Sequence, residues 1–448
     1  MYQVPQHINE DKIFIVNRSE IEGRLEPDFY RPSIALLEKK VRSLSSNRLR
    51  NFALSIAGGA TPKKTEAEKY YSDSGHGVPF LRVQNLQTTG ELTLNGCLYI
   101  NHETHNGLLS RSQVAEGDLL VKITGVGRMA IASVAPRNFI GNTNQHMVVV
   151  KTENATISRY LAQYLNLDII EKIASRHSTG GTRPALDYPS LKNLPIIEGI
   201  DFSSINKAIQ LQKAKEVEAQ KLLDSIGAYL INELGLTIPS VDNGLENRMF
   251  LSSYSKIENN RIDPIYSLYW GKNAQSTKFE NTSLRSVAHI VKGSVLSNSE
   301  TGSGDIPVIA GGQTSPYNYS QANYEGNIIT VSSSGAYAGY VWYHDYPIFA
   351  TDCCVISSKD ESRFMTRYLF EVLKHQQNAI YRLQTGAAQP HVYAADLQIL
   401  NIPVVLIEKQ KEIVNHIADI RNKAKALQQE GKDILEKAKQ IIEQQIIC

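Results

Sequence analysis

The sequence predicts a mixed α/β (α+β) protein made of two tandem globular domains, each followed by a long helix. Three observations support this fold class. Several segments recur in the same order further along the chain, short β-rich runs alternate with amphipathic helical patterns in both copies, and each copy ends in apolar residues with coiled-coil spacing. We therefore expect an internal repeat with pseudo-two-fold symmetry, in which the long helices pair as an antiparallel coiled coil.

The repeat is clearest in a phrase that occurs twice. STGGTRPALDYPSLKNLPI (178–196) matches QTGAAQPHVYAADLQILNIPV (384–404), with Thr385 lying 206 positions after Thr179. The other recurring pairs are RLEPDFY with RIDPIY, LRNFALSIAG with LRSVAHIVKG, EGDLLVKITG with EGNIITVSSSG, and SRYLAQYLN with TRYLFEVLK. The separation falls from 237 positions in the first pair to 206 in the phrase, so the second copy is shorter, mostly in its first third.

Within each copy, short runs bounded by Gly, Asn or Asp predict strands. These runs are GVPFLRVQNL, GDLLVKITG and HMVVVK in the first copy, and DIPVIAGG, NIITVSSS and DCCVISS in the second. The segments SRYLAQYLNLDIIEKIAS and TRYLFEVLKHQQNAIYRL have the apolar period of amphipathic helices. Each copy is therefore expected to fold as one α/β domain.

A helical seam follows each copy, with apolar residues at steps of three and four. The first seam contains Ile205, Ile209, Ala219, Leu223, Ile226 and Leu230, and the second contains Ile413, Ile417, Ile420, Ala424, Leu427, Gly431, Ile434, Ala438 and Ile441. Gly431 is expected to be a weak point. The alternative is two unrelated surface helices, each packed on its own domain.

These patterns divide the chain into four parts. We predict an N-terminal arm with the first recognition domain at 1–200, a first spacer helix at 201–236, a linker arm with the second domain at 237–405, and a second spacer helix at 406–448.

Composition limits the function. The chain has 448 residues, of which 42% are apolar and 21% charged, as in ordinary folded proteins. A net charge of +2 excludes a strong polycation, so contacts with nucleic acid would need local basic patches. No apolar run is long enough for a membrane span, and the first residues lack a signal-peptide pattern. The four cysteines form no CxxC pair. We expect a cytoplasmic protein without structural zinc.

The motifs of catalysis are missing or weak. The sequence contains no GxxxxGK[ST], GxSxG or HExxH motif, and no Pro-Pro dipeptide of the kind amino-methyltransferases use. Asp28 with Glu38-Lys39-Lys40 imitates a nuclease signature but falls on a predicted helix. His102 and His105 lack a third metal ligand, and TGGT has no preceding strand for a phosphate loop. We expect no catalytic residue, no metal site and no bound cofactor.

Polar residues near the strand ends and in the Thr-Gly phrase are suited to DNA. Small residues let a backbone approach phosphates, hydroxyls and N–H groups bond to phosphate oxygens, and Arg, Asn and Gln pair with base edges. In the first copy the candidates are Thr61, Lys63, Lys64, Arg82, Gln84, Asn85, Lys122, Thr124, Arg128, Gln145, His146, Arg176, Ser178, Thr179, Gly180 and Arg183. In the second copy they are Gln313, Ser332, Ser333, Ser334, Tyr337, Tyr340, Gln384, Thr385, Gly386, Gln389 and His391. Each of these could instead be an ordinary solvated loop residue.

The order of these segments resembles the specificity (S) subunit of type I restriction-modification systems, and the resemblance spans nearly the whole chain. The first copy carries it in GGATPKK, EGDLLVKITGVGRMAI, NTNQHMVVV and the Thr-Gly phrase, and the second in VKGSV, GDIPVIAGGQ, ATDCCVI and PVVLIEKQKEIV. The last segment resembles the family's Pro-then-Glu-x-Gln start of the spacer helix. In the first copy IIEGIDFSSI lacks the second proline and the Glu-x-Gln, so the start of its helix is less certain.

The resemblance implies a non-catalytic DNA-binding subunit. Two target-recognition domains would read the two halves of a bipartite double-stranded DNA site, and the paired helices would set their spacing and dock two modification (methyltransferase) subunits. Those partners use S-adenosylmethionine to methylate adenine N6, and restriction subunits use ATP and Mg²⁺ to translocate and cut DNA. The alternatives are a methylation-only or other multi-subunit modification system, a self-sufficient nuclease or methyltransferase, and a non-DNA scaffold.

Overall fold

The computed structural model describes residue 9 and residues 11–236, 251, 253, 277–296, 302, 304–386 and 389–447. Residues 237–276, where the predicted linker arm begins, lie outside these residues except for 251 and 253, and so does the RIDPIY segment. Two compact units make up the chain: unit 1 comprises Met1–Lys215 and Gln429–Cys448, and unit 2 comprises Glu216–Gln428. Both long helices contribute to both units, so the predicted domain boundaries stay a prediction.

Unit 1 contains nine strands and the whole of six helices. The strands are β1 Ser55–Gly58, β2 Tyr71–Ser72, β3 Val78–Leu81, β4 Leu98–Ile100, β5 Gln113–Ala115, β6 Leu119–Lys122, β7 Ala132–Val134, β8 Ile140–Thr143 and β9 Met147–Lys151 within the described ranges. The helices are α1 Pro32–Leu44, α2 Ala67–Tyr70, α3 His102–Asn106, α4 Ala155–Leu165, α5 Asp168–Arg176 and α6 Tyr188–Lys192. The long helix α7, Ser203–Leu234, begins in this unit.

The strands of unit 1 form two sheets. One has the order β1-β9-β6-β7 with antiparallel pairs throughout. The other has the order β2-β4-β3-β8-β5, and in it β3 and β8 run parallel. The central strands are buried on both faces: every residue of β6 is buried, as its continuous apolar run predicts. Helices α4 and α5 then cover the first sheet with Leu161, Leu165, Ile170 and Ile173.

Unit 2 repeats this plan with a smaller second sheet. Its strands are β10 Asn281–Ser283, β11 Ala288–Lys292, β12 Ile306–Ile309, β13 Asn318–Tyr319, β14 Ile328–Ser332, β15 Val341–His344, β16 Phe349–Ala350, β17 Cys353–Ser358 and β18 Asn401–Pro403. Its helices are α8 Leu284–Val287, α9 Thr366–His375, α10 Gln377–Tyr381 and α11 Ala394–Gln398, and the long helix α12, Ile407–Ile447, begins here. The sheet order β11-β17-β14-β15 matches β1-β9-β6-β7, while the second sheet has only β13-β12-β16.

The fold class predicted from the sequence is confirmed, and the register refines the repeat. In the first copy Ile56 of β1 pairs with Val150 of β9, and in the second copy Ile290 of β11 pairs with Ile356 of β17. Strand β11 therefore lies 234 positions after β1 along the chain. The turn before each of these strands begins at Leu49 and at Leu284, which are 235 positions apart. These two leucines are equivalent because the N–H of Leu49 bonds to Leu194 O and that of Leu284 bonds to Leu400 O. The first copy therefore has one extra residue between this turn and its strand.

The long helices pair in an antiparallel manner within each unit. In unit 1, Lys215 forms an ion pair with Glu430 at 2.9 Å. In unit 2, Lys409 pairs with Glu233 at 2.5 Å, and His416 lies 4.2 Å from the Tyr229 ring, centroid to centroid. The antiparallel pairing expected from the sequence is thus present in both units.

The seam differs from the predicted one in the last turns of α12. Ile413, Ile417, Ile420 and Leu230 are buried, whereas Leu223, Ile226, Leu427 and Ile434 are only partly buried. Ile441, placed on the seam from its spacing, is 52% exposed. Leu435, Ile442 and Ile446, which the predicted seam omitted, face the core together with the predicted Ala438, because this part of the helix packs on the globular core of unit 1 as well as on α7.

Gly431 is a close-packing position rather than a weak point. A Cβ built on Gly431 would lie 3.2 Å from Gln212 Cα and 3.4 Å from Gln212 O on the partner helix. The absence of a side chain thus allows the two backbones to approach closely.

Every helix in the described ranges is too short or too polar to cross a membrane.

Two further glycines, at equivalent positions in the two copies, predict a similar loss of stability when a side chain is added. A Cβ at Gly59 would overlap Thr143 O, and a Cβ at Gly293 would overlap Thr351 O. Gly59→Ala and Gly293→Ala should each lower the free energy of unfolding by about 1–3 kcal/mol, because backbone cannot move aside as a side chain can. Denaturant unfolding would measure this loss. Gly181→Ala is the control, since nothing lies within 4 Å of its Cβ; equal effects at all three glycines would contradict the steric explanation.

Candidate nucleic-acid interface

In unit 1 the predicted DNA-binding segments meet at one edge of the two sheets. Because β3 and β8 are parallel, the loops that follow them leave at the same edge. The antiparallel pairing of Lys122 with Met147 brings the end of β6 to the same place. The loop after β1 joins them through a hydrogen bond between the side chains of Thr61 and Gln145.

The Thr-Gly phrase completes this edge through backbone hydrogen bonds. Thr179 and Ala185 exchange N–H···O bonds of 2.9 and 2.8 Å, which closes a tight loop containing Gly180 with φ +97°. The loop then bonds to the residues after β6: Gly125 N–H donates to Pro184 O at 3.0 Å, and Leu186 N–H donates to Ile123 O at 2.8 Å. The phrase is therefore fixed beside the end of the central strand.

Unit 2 builds the same edge from the equivalent segments. Thr385 and His391 exchange N–H···O bonds of 2.9 and 2.8 Å around Gly386, whose φ is +94°. Gly335 N–H donates to Pro390 O at 3.0 Å, and this bond is equivalent to the one from Gly125 N–H to Pro184 O in unit 1. Strands β12 and β16 are parallel, so the loop with Gln313 leaves beside residues 351 and 352.

The shared hydrogen bonds identify which residues occupy equivalent positions. Ile123 N–H donates to His146 O at 3.0 Å, and Ser333 N–H donates to Asp352 O at 3.2 Å. The matched pairs at the edge are Lys122 with Ser332, Thr124 with Ser334, His146 with Asp352, and Arg183 with Gln389. The backbone is thus repeated while the polar side chains differ.

Several predicted residues of unit 1 have accessible polar groups at this edge. Lys63 and Arg183 are exposed, and Lys63 has only a 4.0 Å contact with Glu66. Gln145, Thr179 and Gly180 are also exposed, and Thr61 bonds to Gln145. Ser178 donates its hydroxyl to Ala174 O at 3.0 Å, and Thr124 is partly buried. The side chain of Lys64 lies outside the described part of the chain.

Other predicted residues of unit 1 are engaged within the domain. Arg82 Nη2 and Gln84 Nε2 both donate to Gly96 O, at 2.8 and 3.2 Å. Asn85 is fully buried, and its side chain bonds to Arg82 N and Thr93 O. These contacts favour a structural role for the three residues, and their predicted base contacts stay untested.

Lys122 and Arg128 hold the loop between them. Lys122 is buried, and its Nζ donates to Val126 O at 2.8 Å and Arg128 O at 2.9 Å. Burial lowers the pKa of Lys122. Arg128 forms an ion pair with Asp168 and donates to Asn166 O at 2.5 Å. Both cations therefore stabilise the loop after β6. In the KITGVGR segment they were predicted to contact DNA, and these bonds favour a structural role instead.

Arg176 belongs to a buried cluster around Glu38. The Glu38 carboxylate contacts Arg176, His177 Nε2 at 2.8 Å and Arg42 Nη2 at 2.6 Å, and it is only 3% exposed. Burial alone would raise the pKa of Glu38, but hydrogen bonds and charges from His177, Arg176 and Arg42 lower it to about 2. The cluster ties α1 to the end of α5, immediately before the Thr-Gly phrase.

The other end of α5 is held by the last turns of α12. Glu443 accepts hydrogen bonds from the N–H groups of Asp168 and Ile169, the latter at 3.3 Å. Burial raises the pKa of Glu443, with the nearby Asp168 charge acting in the same direction. Glu443 therefore caps α5, and through Asp168 and Arg128 the cap is connected to the loop after β6.

Most predicted residues of unit 2 also lie at its edge. Ser332 donates its hydroxyl to Gly312 O at 3.2 Å, the Ser333 hydroxyl lies 3.8 Å from Cys354 Sγ, and Gln384 Nε2 donates to Ala338 O at 2.7 Å. Gln313, Tyr337, Gly386 and Gln389 are exposed, while Thr385 and His391 are partly buried. Tyr340 instead supports Lys374, whose Nζ lies 4.0 Å from the centre of its ring.

Sequence reasoning missed Asp352. The Ser334 hydroxyl bonds to Asp352 Oδ2, which places this carboxylate among the predicted residues of unit 2. Its counterpart His146 has a lowered pKa because of burial and the nearby Arg183 charge. Aligning NTNQHMVVV with ATDCCVI at the 206-position offset would have found Asp352 opposite His146.

A family model described as "Type I restriction modification DNA specificity domain" matches residues 48–197 and 277–437, one match in each copy. The chain belongs to this family. No curated protein sequence matches the chain at a significant level.

Solved structures with a similar fold include specificity subunits. The S subunit of a type I restriction-modification system from M. genitalium is 14% identical, with 88% of this chain and 95% of that chain covered and a TM-score of 0.39. The HsdS subunit from Thermoanaerobacter tengcongensis is 14% identical, with coverage of 90% and 95% and a TM-score of 0.33. A chain from a structure on complex assembly and conformational transition of the type I R-M system is 14% identical, with coverage of 90% and 95% and a TM-score of 0.44.

Two of the weaker sequence motifs have structural explanations in the first specificity domain. The nuclease-like Glu38 lies on helix α1, as expected, and its carboxylate is occupied by Arg42, Arg176 and His177. His105 is buried and hydrogen-bonds to Asn142. Among the described residues no group of His, Cys, Asp or Glu is arranged to hold a metal ion.

The Lys122 clamp predicts a local change in dynamics. Lys122→Met removes the donor to Val126 O and Arg128 O while keeping a long apolar side chain. Hydrogen–deuterium exchange at residues 123–129 of the first specificity domain should become about fivefold faster, as expected for about 1 kcal/mol of lost hydrogen bonding. Lys192→Met removes an exposed lysine and is the matched control. Unchanged exchange in the Lys122→Met variant would exclude the clamp.

The Glu38 cluster predicts an acid-sensitive contribution to stability. Since the pKa of Glu38 is about 2 in the folded domain against 4.5 as its ordinary value, its ion pairs contribute fully above about pH 4.5 and are lost as the pH falls to 2. Glu38→Gln should cost about 3 kcal/mol at pH 7 and progressively less below pH 4.5. Denaturant unfolding between pH 7 and pH 2 would measure this loss. Glu153→Gln, at an exposed glutamate, is the control. A deficit that stays constant down to pH 2 would contradict the prediction.

Proposed function

We propose that this chain is the specificity subunit of a type I restriction-modification complex, in which each recognition domain reads one half of a bipartite DNA site. One observation carries the proposal: the same edge, with the same backbone hydrogen bonds, occurs in both copies of the family domain, but its matched side chains differ. A repeated frame with different polar groups is what reading two different half-sites requires.

The partners follow from this proposal. Double-stranded DNA would contact the edge of each unit, with Lys63 supplying a phosphate contact in the first. The paired long helices would set the spacing of the half-sites and dock two modification subunits. Restriction subunits would join the same complex in the cytoplasm. The chain itself would be non-catalytic and bind no cofactor, while its partners would use S-adenosylmethionine, ATP and Mg²⁺.

The proposal predicts a particular methylation pattern. Co-expression of the chain with its modification subunit in a host without adenine methylation should produce methylated adenines in one motif of two half-sites separated by a fixed gap. Single-molecule sequencing of the host DNA would show this motif. The chain expressed without the modification subunit is the control and should give no methylation.

Two other results would contradict the proposal. An unmethylated genome in the presence of both subunits would argue against a specificity role. Methylation by the purified chain alone with S-adenosylmethionine would show that it is an enzyme. A scaffold without DNA affinity is tested separately, because salt-dependent binding of the purified chain to duplex DNA excludes it.

A further inference from the structure

Asp352 lies where three segments of the unit 2 edge meet. Its backbone O accepts a hydrogen bond of 3.2 Å from Ser333 N–H, in the loop after β14. Its Oδ2 accepts the hydroxyl of Ser334 in the same loop. A Cβ on Gly311, in the loop after β12, would lie 3.3 Å from Oδ2. The carboxylate is therefore oriented by the frame of the edge rather than placed on a free loop.

The carboxylate is partly buried and carries an uncompensated charge. Within the described ranges no cation forms an ion pair with Asp352, and no hydrogen bond is made to its Oδ1. The matched position in the first unit holds His146, and its neighbour Arg183 is replaced by Gln389. Lys122 is likewise replaced by Ser332. The edge of unit 2 thus carries a carboxylate near the position where that of unit 1 carries the exposed Arg183.

This charge restricts what Asp352 can contact in DNA. A carboxylate repels phosphates, and it accepts hydrogen bonds without donating them. In the major groove the groups that donate are the exocyclic amino groups, N4 of cytosine and N6 of adenine. Guanine N7 and O6 and thymine O4 are acceptors and would oppose it. An unpaired carboxylate at a DNA-binding edge is favourable only opposite such an amino group.

We infer that Asp352 is a specificity-determining residue that accepts a hydrogen bond from the amino group of a cytosine or adenine in the second half-site. Ser334 holds Oδ2, which leaves Oδ1 for the base. The inference rests on the proposed function, because it requires the edge of unit 2 to contact DNA. It adds to that function the chemical group that one position of the half-site must present.

The test is a thermodynamic cycle between the protein and the base. The complex of the chain and its modification subunit is bound to duplexes carrying the methylated motif. In the second half-site each cytosine is replaced in turn by 2-pyrimidinone, which lacks the N4 amino group, and each adenine by purine, which lacks N6. For one position the wild-type complex should lose roughly tenfold in affinity, while the Asp352→Ala complex, which has no acceptor there, should lose less than about twofold. Which analogue produces the loss distinguishes cytosine from adenine.

A matched pair of variants separates base reading from folding. Asp352→Asn should bind random duplex as tightly as wild type or a few-fold more tightly, because it removes a negative charge near the phosphates. A purely structural role would weaken binding to all duplexes alike and leave the analogue penalty unchanged. Asp345→Asn removes the same charge from the far end of the β14–β15 pair and should alter neither measurement. Asp352→Ala also removes the acceptor oxygen, which the Asn amide retains, so the analogue penalty should be lost in Asp352→Ala.

Failure of the inference can be distinguished from failure of the proposed function. If wild type produces no bipartite motif, the proposed function fails whatever Asp352 does. If the motif is present and no analogue distinguishes wild type from Asp352→Ala, the inference alone is overturned. Arg183→Gln assigns the half-sites, since it should relax preference in the other half; an effect in the half-site affected by Asp352→Ala would also overturn the inference.

Discussion

Both recognition units depend on one set of backbone hydrogen bonds, which joins the Thr-Gly phrase to the loop after the central strand. Only N–H and C=O groups form these bonds, so they place few demands on side chains. The exceptions are the glycines at positive φ, among them Gly125, Gly180, Gly335 and Gly386. A frame of this kind can keep its shape while the polar residues around it are replaced. The difference between His146 and Asp352 is one such replacement.

The frame itself is supported from both sides by charged residues of unit 1. Glu38 holds the end of α5 next to the phrase, and Glu443 caps its beginning. Between them Asp168 holds Arg128 and thereby the loop after β6. Residues distant in sequence from the interface therefore determine the position of the loops that form it.

The sequence predicted the repeat and six of the strands, β3, β6, β9, β12, β14 and β17, because apolar periods and glycine positions are local signals. It was less successful with the cations. Arg82, Lys122, Arg128 and Arg176 were selected for their residue type, yet each bonds to a partner inside the domain, and such partners can be far away, as Glu38 is from Arg176. Spacing does not reveal such pairs. Asp352 was overlooked for a different reason: NTNQHMVVV and ATDCCVI were not aligned at the 206-position offset, which places Asp352 opposite His146. Ile441 was misassigned because the end of α12 packs on a globular core, where the heptad rule no longer applies.

The end of α12 belongs to the core of the first unit, where Leu435, Ala438, Ile442 and Ile446 pack in one cluster with Phe202, Ile205 and Ile209. A ribosome makes the second group long before the first: at typical rates of 5–20 residues per second the interval is roughly ten to forty-five seconds. During translation the apolar surface around Phe202, Ile205 and Ile209 therefore lacks its cover from α12 until the second unit has been synthesised. Although the first unit is encoded first, the last residues of its core are synthesised after the second unit.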